Sequence, residues 1–231
     1  MKNCYFVSGT DTGVGKTWIS AALLHAFHAM GVDAVGMKPV ASGCEQTPEG
    51  LRNSDALILQ QSASRSLSYD LINPFAFKPA IAPHLAATAA GQEISTDILL
   101  GRLQQFKRQV RDVGLIEGAG GWQVPLNATE TWKEFVQAAN LPVILVVGLR
   151  LGCINHALLT AESITAAGVP VAGWVANRID PRMENWQENI ETIRDRLVAP
   201  MLGNVPYLDS FQPTKIANNL DLLLLKRALL N

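Results

Sequence analysis

The chain has 231 residues, 48% of them hydrophobic and 17% charged, which allows one large α/β domain and excludes a disordered or surface-rich polypeptide. A formal net charge of −1 argues against bulk attraction to nucleic acid or to an anionic membrane, so no partner of either kind is expected. The cysteines Cys4, Cys44 and Cys153 are scattered and lack CxxC spacing, which favours reduced thiols in the cytoplasm over disulfides or zinc.

Met1–Ser8 carries one lysine and a short apolar run that leads straight into a glycine loop, so no secretory signal is expected. Apolar runs of a few residues then alternate with amphipathic stretches, the pattern of parallel strands covered by helices. Cys4–Val7 reads as the first strand, Thr17–Met30 as a helix stopped by Gly31, and Ala34–Met37 as the second strand, ended by Pro39. A helix is expected from Ser54 through Leu59. Residues 61–95, rich in Ser, Ala and Pro, give no clear pattern. A helix over Ile98–Val110 precedes a strand at Val113–Ile116 and a turn at Gly118–Gly121. Pro142–Val147 is a fully apolar strand. The longest apolar run, Leu141–Leu149, is less than half of the ~20 residues that a membrane-spanning helix needs. Next come a helix over Asn155–Ala167, a strand at Val171–Ala176, a helix near Trp186–Leu197, a strand at Met201–Val205 and a helix over Ile216–Leu230. The expected fold class is α/β: one doubly wound, mostly parallel sheet with helices on both faces, of the P-loop NTPase type. It forms a single domain over residues 1–231, with ligands at the carboxyl edge of the sheet.

Gly9-Thr-Asp-Thr-Gly-Val-Gly15-Lys16-Thr17 lies between the first strand and the first helix, the context that a phosphate-binding loop requires. Its glycines let successive backbone N–H groups turn inward, and the helix start adds positive charge. Lys16 supplies a point charge for the outer phosphates of a nucleoside triphosphate, and Thr17 a hydroxyl for Mg²⁺. Five residues separate Gly9 from Gly15, one more than in the common pattern.

Further motifs follow in order: Lys38-Pro-Val-Ala-Ser-Gly43, Thr47-Pro-Glu-Gly-Leu-Arg-Asn-x-Asp-Ala56, Glu117-Gly-Ala-Gly-Gly-Trp122 and Leu151-Gly-Cys-Ile-Asn-His-Ala157. Together with the loop they resemble the dethiobiotin synthetase family, from the N-terminus to about Leu208. The resemblance implies a homodimeric ligase of biotin synthesis that uses ATP and Mg²⁺. Its substrates would be 7,8-diaminononanoate and CO₂ or bicarbonate, and its product the cyclic urea dethiobiotin, with ADP and phosphate. A carbamate is a poor acylating agent, because its leaving group would be oxide. Transfer of the γ-phosphoryl group makes a mixed carbamic–phosphoric anhydride that the second amine can attack.

The resemblance implies these roles for particular residues. Lys38 joins Lys16 as a catalytic cation, although a lone Lys-Pro reads on its own as a surface lysine. Ser42 would contact the carbamate or amine, or else be a turn serine. Asp55 and Glu117 would join Thr17 as Mg²⁺ ligands. On the residues alone, Asp55 fits equally a carboxylate complementing a helix dipole, worth about 0.3–1 kcal/mol. Thr12, Gly13, Val14, Gly15 and Trp18 would line the nucleotide, as would Gly118, Ala119 and Gly120. Asn177 with Pro206, Tyr207 and Leu208 would hold adenine, though Asn177 fits a strand-terminal turn residue as well. Gly152, Cys153 and Asn155 would hold the substrate carboxylate across the dimer, giving shared active sites. Asn155 would also serve as an ordinary helix cap.

His25, His28, His84 and His156 read as bystanders, and Trp122 as an interface residue. Gly13 stands where some relatives carry Glu, so any acidic contact to the metal from that position is absent. Two other classes compete. Partition-type ATPase switches carry a lysine early in the loop, where this chain has Asp11. GTPases carry Asn-Lys-x-Asp, which Asn177-Arg-Ile-Asp180 approximates.

Overall fold

The computed structural model describes residues 3–227. In chain order the elements are β1 (Asn3–Gly9), α1 (Lys16–Ala29), β2 (Ala34–Met37), β3 (Val40–Ala41), β4 (Glu45–Thr47), β5 (Gly50–Arg52) and α2 (Ser54–Ser62). There follow α3 (Tyr69–Ile72), β6 (Phe75–Ala76), α4 (Pro83–Ala89), α5 (Thr96–Gln109), β7 (Val113–Gly121) and α6 (Trp132–Ala139). The remainder comprises β8 (Val143–Leu149), α7 (Cys153–Ala166), β9 (Val171–Arg178), α8 (Trp186–Arg196), β10 (Met201–Val205), α9 (Pro213–Ala217) and α10 (Leu223–Arg227). Among the described residues no helix is long and apolar enough to cross a membrane.

Six strands form one sheet in the order β10-β9-β8-β1-β7-β2, with every pairing parallel. Such a sheet is buried on both faces, which is why its strands are continuous apolar runs. All seven residues of β8 are buried. Val143, Leu145 and Val147 point into a core shared with α5, α6, α7 and α8, while Ile144 and Val146 point into the opposite core, beside α1 and α9. The strand β1 divides in the same way, with Phe6 on one side and Tyr5 and Val7 on the other. Because the strands run the same way, the ends of β1, β2, β7, β9 and β10 open onto one edge.

Several boundaries differ from the sequence reading. The glycines at 118–121, expected as a turn, continue β7. They are present because other groups come close: a Cβ on Gly118 would lie 2.6 Å from the Phe6 ring, and Gly121 pairs with Gly9. Helix α6 was not expected at all. Its start is a capping box in which Lys133 N–H donates to Thr131 Oγ1 (3.1 Å) and Thr131 N–H donates to Glu134 Oε2 (2.7 Å). Burial alone would raise the Glu134 pKa. The Thr131 hydroxyl and N–H outweigh that and hold it at about 2.

The segment 61–95 contains α3, β6 and α4, and β6 pairs in parallel with β3. The C-terminal stretch, expected as one helix over Ile216–Leu230, is two short helices. The chain breaks after Ala217 because Leu220 bridges to Gly203 and Asp221 N–H donates to Leu202 O (2.7 Å). The part of that expected helix beyond Arg227 lies outside the described residues.

Candidate active site

The phosphate-binding loop folds back on itself above the end of β1. Gly13 (φ 74°) and Gly15 (φ 89°) sit in the left-handed region that favours glycine. A Cβ on Gly15 would run into the Asn177 side chain, so this position has room for glycine alone. Asn177, at the end of β9, donates from Nδ2 to Val14 O (2.8 Å), and the Val14 side chain is buried beneath the loop. Val14, expected to line the nucleotide, therefore does not line the cavity. Lys16 Nζ donates to Asp11 O (3.1 Å) and lies across the loop. Burial, and next the nearby Lys38 ammonium, lower the Lys16 pKa to about 8.

Beside the loop the chain gathers a buried charged cluster. Lys38, just past β2, places Nζ 2.6 Å from Glu117 Oε1 on β7 and 3.2 Å from Asp55 Oδ2 in the first turn of α2. It also donates to Gly118 O (3.3 Å). Thr17 Oγ1 donates to the same Glu117 oxygen (2.8 Å). Lys38 is 4% exposed and Glu117 fully buried, so the surface-lysine reading of Lys38 is excluded. Burial by itself would lower the Lys38 pKa. Glu117 and Asp55 outweigh it and raise that pKa, so Lys38 stays charged.

The second Glu117 oxygen, Oε2, is buried and makes no hydrogen bond, and neither does the buried Ser42 hydroxyl. Both residues line a cavity where a ligand can supply the missing partner. Thr17, Asp55 and Glu117 supply oxygen donors only, which suits Mg²⁺. Among the described residues no group of three His, Cys, Asp or Glu could hold a metal unaided. An ion here would share its coordination with phosphate oxygens.

These groups open into one cavity of about 860 Å³. Of the expected residues, Thr12, Gly13, Gly15, Lys16, Thr17, Trp18, Lys38, Ser42, Asp55, Glu117, Ala119, Gly120, Asn177, Pro206, Tyr207 and Leu208 line it. Gly118 lies behind the wall and contributes its carbonyl to Lys38. Ala119 is held by the Trp132 indole, whose Nε1 donates to its carbonyl (2.8 Å), so α6 braces this wall.

Gly152, Cys153 and Asn155 lie off the cavity, at the start of α7. Gly152 (φ 94°) is the N-cap residue, and Asn155 is exposed within the first turn, which corrects the expectation that Asn155 caps the helix. The Cys153 side chain is buried and its N–H already donates to Arg150 O (3.0 Å). Trp122, expected at an interface, is 3% exposed and packed in the core. None of the four histidines lines the cavity.

The geometry does not favour the guanine-reader possibility: Asp180 accepts from Arg182 N–H (2.9 Å) and does not line the cavity, whereas its neighbours Arg178 and Ile179 do. Sequence reasoning missed Asn53, the loop from Ala80 to Pro83, and Arg178, all of which line the cavity. It also missed the ion pair between Asp11 of the phosphate-binding loop and Arg150. Asn53 carried a legible signal, since it caps α2 by accepting from Ala56 N–H (3.2 Å). The 80–83 loop carried none.

A family model described as an AAA domain matches residues 3–215. The ATP-dependent dethiobiotin synthetase BioD of Pseudomonas aeruginosa is 51% identical over 218 residues, covering 94% of this chain and 96% of that protein. The protein of the same name from Aeromonas salmonicida is 45% identical over 222 residues, covering 96% of this chain and 98% of that one. Among solved structures, chloroplast FtsY from Physcomitrella patens aligns with a TM-score of 0.56 and 17% identity, over 100% of this chain and 66% of that one. FtsY from Elizabethkingia anophelis gives 0.51 and 20%, over 94% of this chain and 65% of that one. The chain thus spans about two thirds of these FtsY structures, and at such identity the likeness concerns the fold alone.

Proposed function

Because this chain belongs to the ATP-dependent dethiobiotin synthetase family, and is thereby an ATP-dependent ligase of biotin biosynthesis, we propose that it closes the ureido ring of dethiobiotin from 7,8-diaminononanoate and CO₂. One observation carries the reading. A buried, charged Lys38 stands beside the phosphate-binding loop, in a cavity that also takes in the unpartnered Ser42 hydroxyl.

One amine of the diamine adds to CO₂ and loses a proton, giving a carbamate. A carbamate oxygen attacks the γ-phosphorus of ATP, the bond to the β-phosphate oxygen breaks, and ADP leaves. The second amine attacks the carbonyl carbon, phosphate departs with the bridging oxygen, and the amine's proton is released. Backbone N–H groups of Gly13–Gly15 and the Lys16 ammonium bind the triphosphate, while Lys38 offsets negative charge on the migrating phosphoryl and the carbamate. Ser42 orients the carbamate or amine. Thr17, Asp55 and Glu117 are the groups that would hold Mg²⁺, which would supply neutralising charge to the triphosphate. We further propose a cytoplasmic homodimer whose partner subunit presents the start of α7 to the substrate carboxylate.

In a single turnover with heavy-oxygen-labelled CO₂, one labelled oxygen is expected in the released phosphate. Unlabelled phosphate would exclude the anhydride route.

The base is expected to be adenine. One Asn177 amide N–H is donated to Val14 O, and its carbonyl oxygen can accept from the 6-amino group of adenine. Guanine presents an acceptor there. GTP should therefore support a lower kcat/KM than ATP, though not zero, since the phosphates make most contacts. A higher kcat/KM with GTP would overturn this assignment.

A further inference from the structure

We propose that Tyr69 and Asn73 are positioning residues, linked in a buried hydrogen-bond chain that fixes Lys38 and Ser42 against the start of α2. The inference rests on the function proposed above. Neither residue lines the cavity. Both act through groups that do.

The links run without a gap. Lys38 N–H donates to Ile72 O (2.8 Å), and Lys38 O accepts from Asn73 Nδ2 (2.7 Å). Asn73 Oδ1 accepts from the Tyr69 hydroxyl (3.0 Å), which in turn accepts from Asn53 N–H (2.7 Å). Asn53 caps α2, the helix that carries Asp55 in its first turn, and donates from Nδ2 to Ser42 O (3.3 Å). The three catalytic-side segments are thereby tied together by three side chains. Asn73 is 3% exposed, Asn53 6% and Tyr69 9%.

Burying polar groups is unfavourable unless each is partnered, and a fully partnered buried network holds a single geometry. Apolar side chains would fill the same space at less cost, so the network is better explained by the register it imposes. The Arg52 guanidinium lies 4.2 Å over the Tyr69 ring, so the β4–β5 hairpin clamps the ring as well. Burial raises the Tyr69 pKa, which keeps the hydroxyl proton that Asn73 accepts. Pro39 has no N–H, so the backbone just after Lys38 has no donor of its own to hold it. Its carbonyls hold it instead: Lys38 O accepts from Asn73 Nδ2, and Pro39 O from Phe75 N–H (3.2 Å). A displacement of about 1 Å at a charge-stabilising group costs on the order of 100-fold in rate, so a modest loosening is measurable.

The test is a double-mutant cycle on the full chain, read as ATP turnover with whichever acceptor the wild type uses, with melting curves for every variant. Asn73→Ser is expected to lower kcat roughly tenfold, with KM for ATP within about twofold. In a Lys38→Ala background the same change should cost less than about twofold, because the group it positions is gone. Equal losses in both backgrounds, or no loss in the wild-type background, would overturn the inference. Should Asn73→Ser fail to fold, Tyr69→Phe removes one oxygen and is judged by the loss in wild type and the KM split. An acceptor other than the diamine would instead refute the functional proposal, and leaves this cycle readable.

Discussion

Lys38→Ala lowers kcat by about 10²–10³ while KM for ATP changes little, because the lost cation acts on charge that develops during transfer. Lys16→Ala damages nucleotide binding as well, since Lys16 lies across the loop itself. The structure adds a control. Lys38 is the counter-charge of the fully buried Glu117, and removing one partner of a buried pair destabilises by about 3–5 kcal/mol. A low rate could then reflect unfolding. A melting curve for Lys38→Ala separates the two, because a kcat measured well below its Tm belongs to folded protein. Near-normal kcat in folded Lys38→Ala would remove Lys38 from the chemistry.

The second large effect is recovery of activity in a mixed dimer. If Lys38 comes from one subunit and the start of α7 from its partner, two inactive variants can complement each other. Gly152 is a poor place for the second lesion, because its φ of 94° would strain any side chain. Asn155→Glu is better. The position is exposed and lies in the first helical turn, where a glutamate is compatible with folding yet repels a carboxylate substrate. In a hybrid of Lys38→Ala and Asn155→Glu, one site collects both lesions and the other has none. Equal random mixing makes about half of the dimers hybrids, so about a quarter of wild-type activity should return. No return from folded, subunit-exchanging dimers would mean that each site lies within one subunit.

The central sheet was legible because a parallel strand buried on both faces must be an apolar run, and β2 and β10 fell on their expected residues. The nucleotide end of the site was legible for a different reason. The loop and Lys38 follow strand ends, Asp55 a helix start, and Glu117 an apolar run within β7, and parallel strands bring these groups to one edge.

The other wall was not readable. Two-residue strands such as β3 and β6 have no periodicity, and the 80–83 loop is placed by backbone bonds, with Gly43 N–H donating to Pro79 O (3.1 Å). Helix α6 did carry a signal, the Thr131–Glu134 capping box, but its short apolar pattern was hidden among polar neighbours. Trp122 and Asn155 were misread because exposure and cap position depend on neighbours distant in the chain. Nothing in Asp11 or Arg150 as letters announces that they form an ion pair.

ADP release, measured with ATP and Mg²⁺ while the diamine and bicarbonate are supplied separately and together, tests the ligase reading most directly. ADP should form rapidly only when both are present, with one cyclic urea made for each ADP. ADP release at the same rate with neither present, and no cyclic urea when both are added, would contradict it.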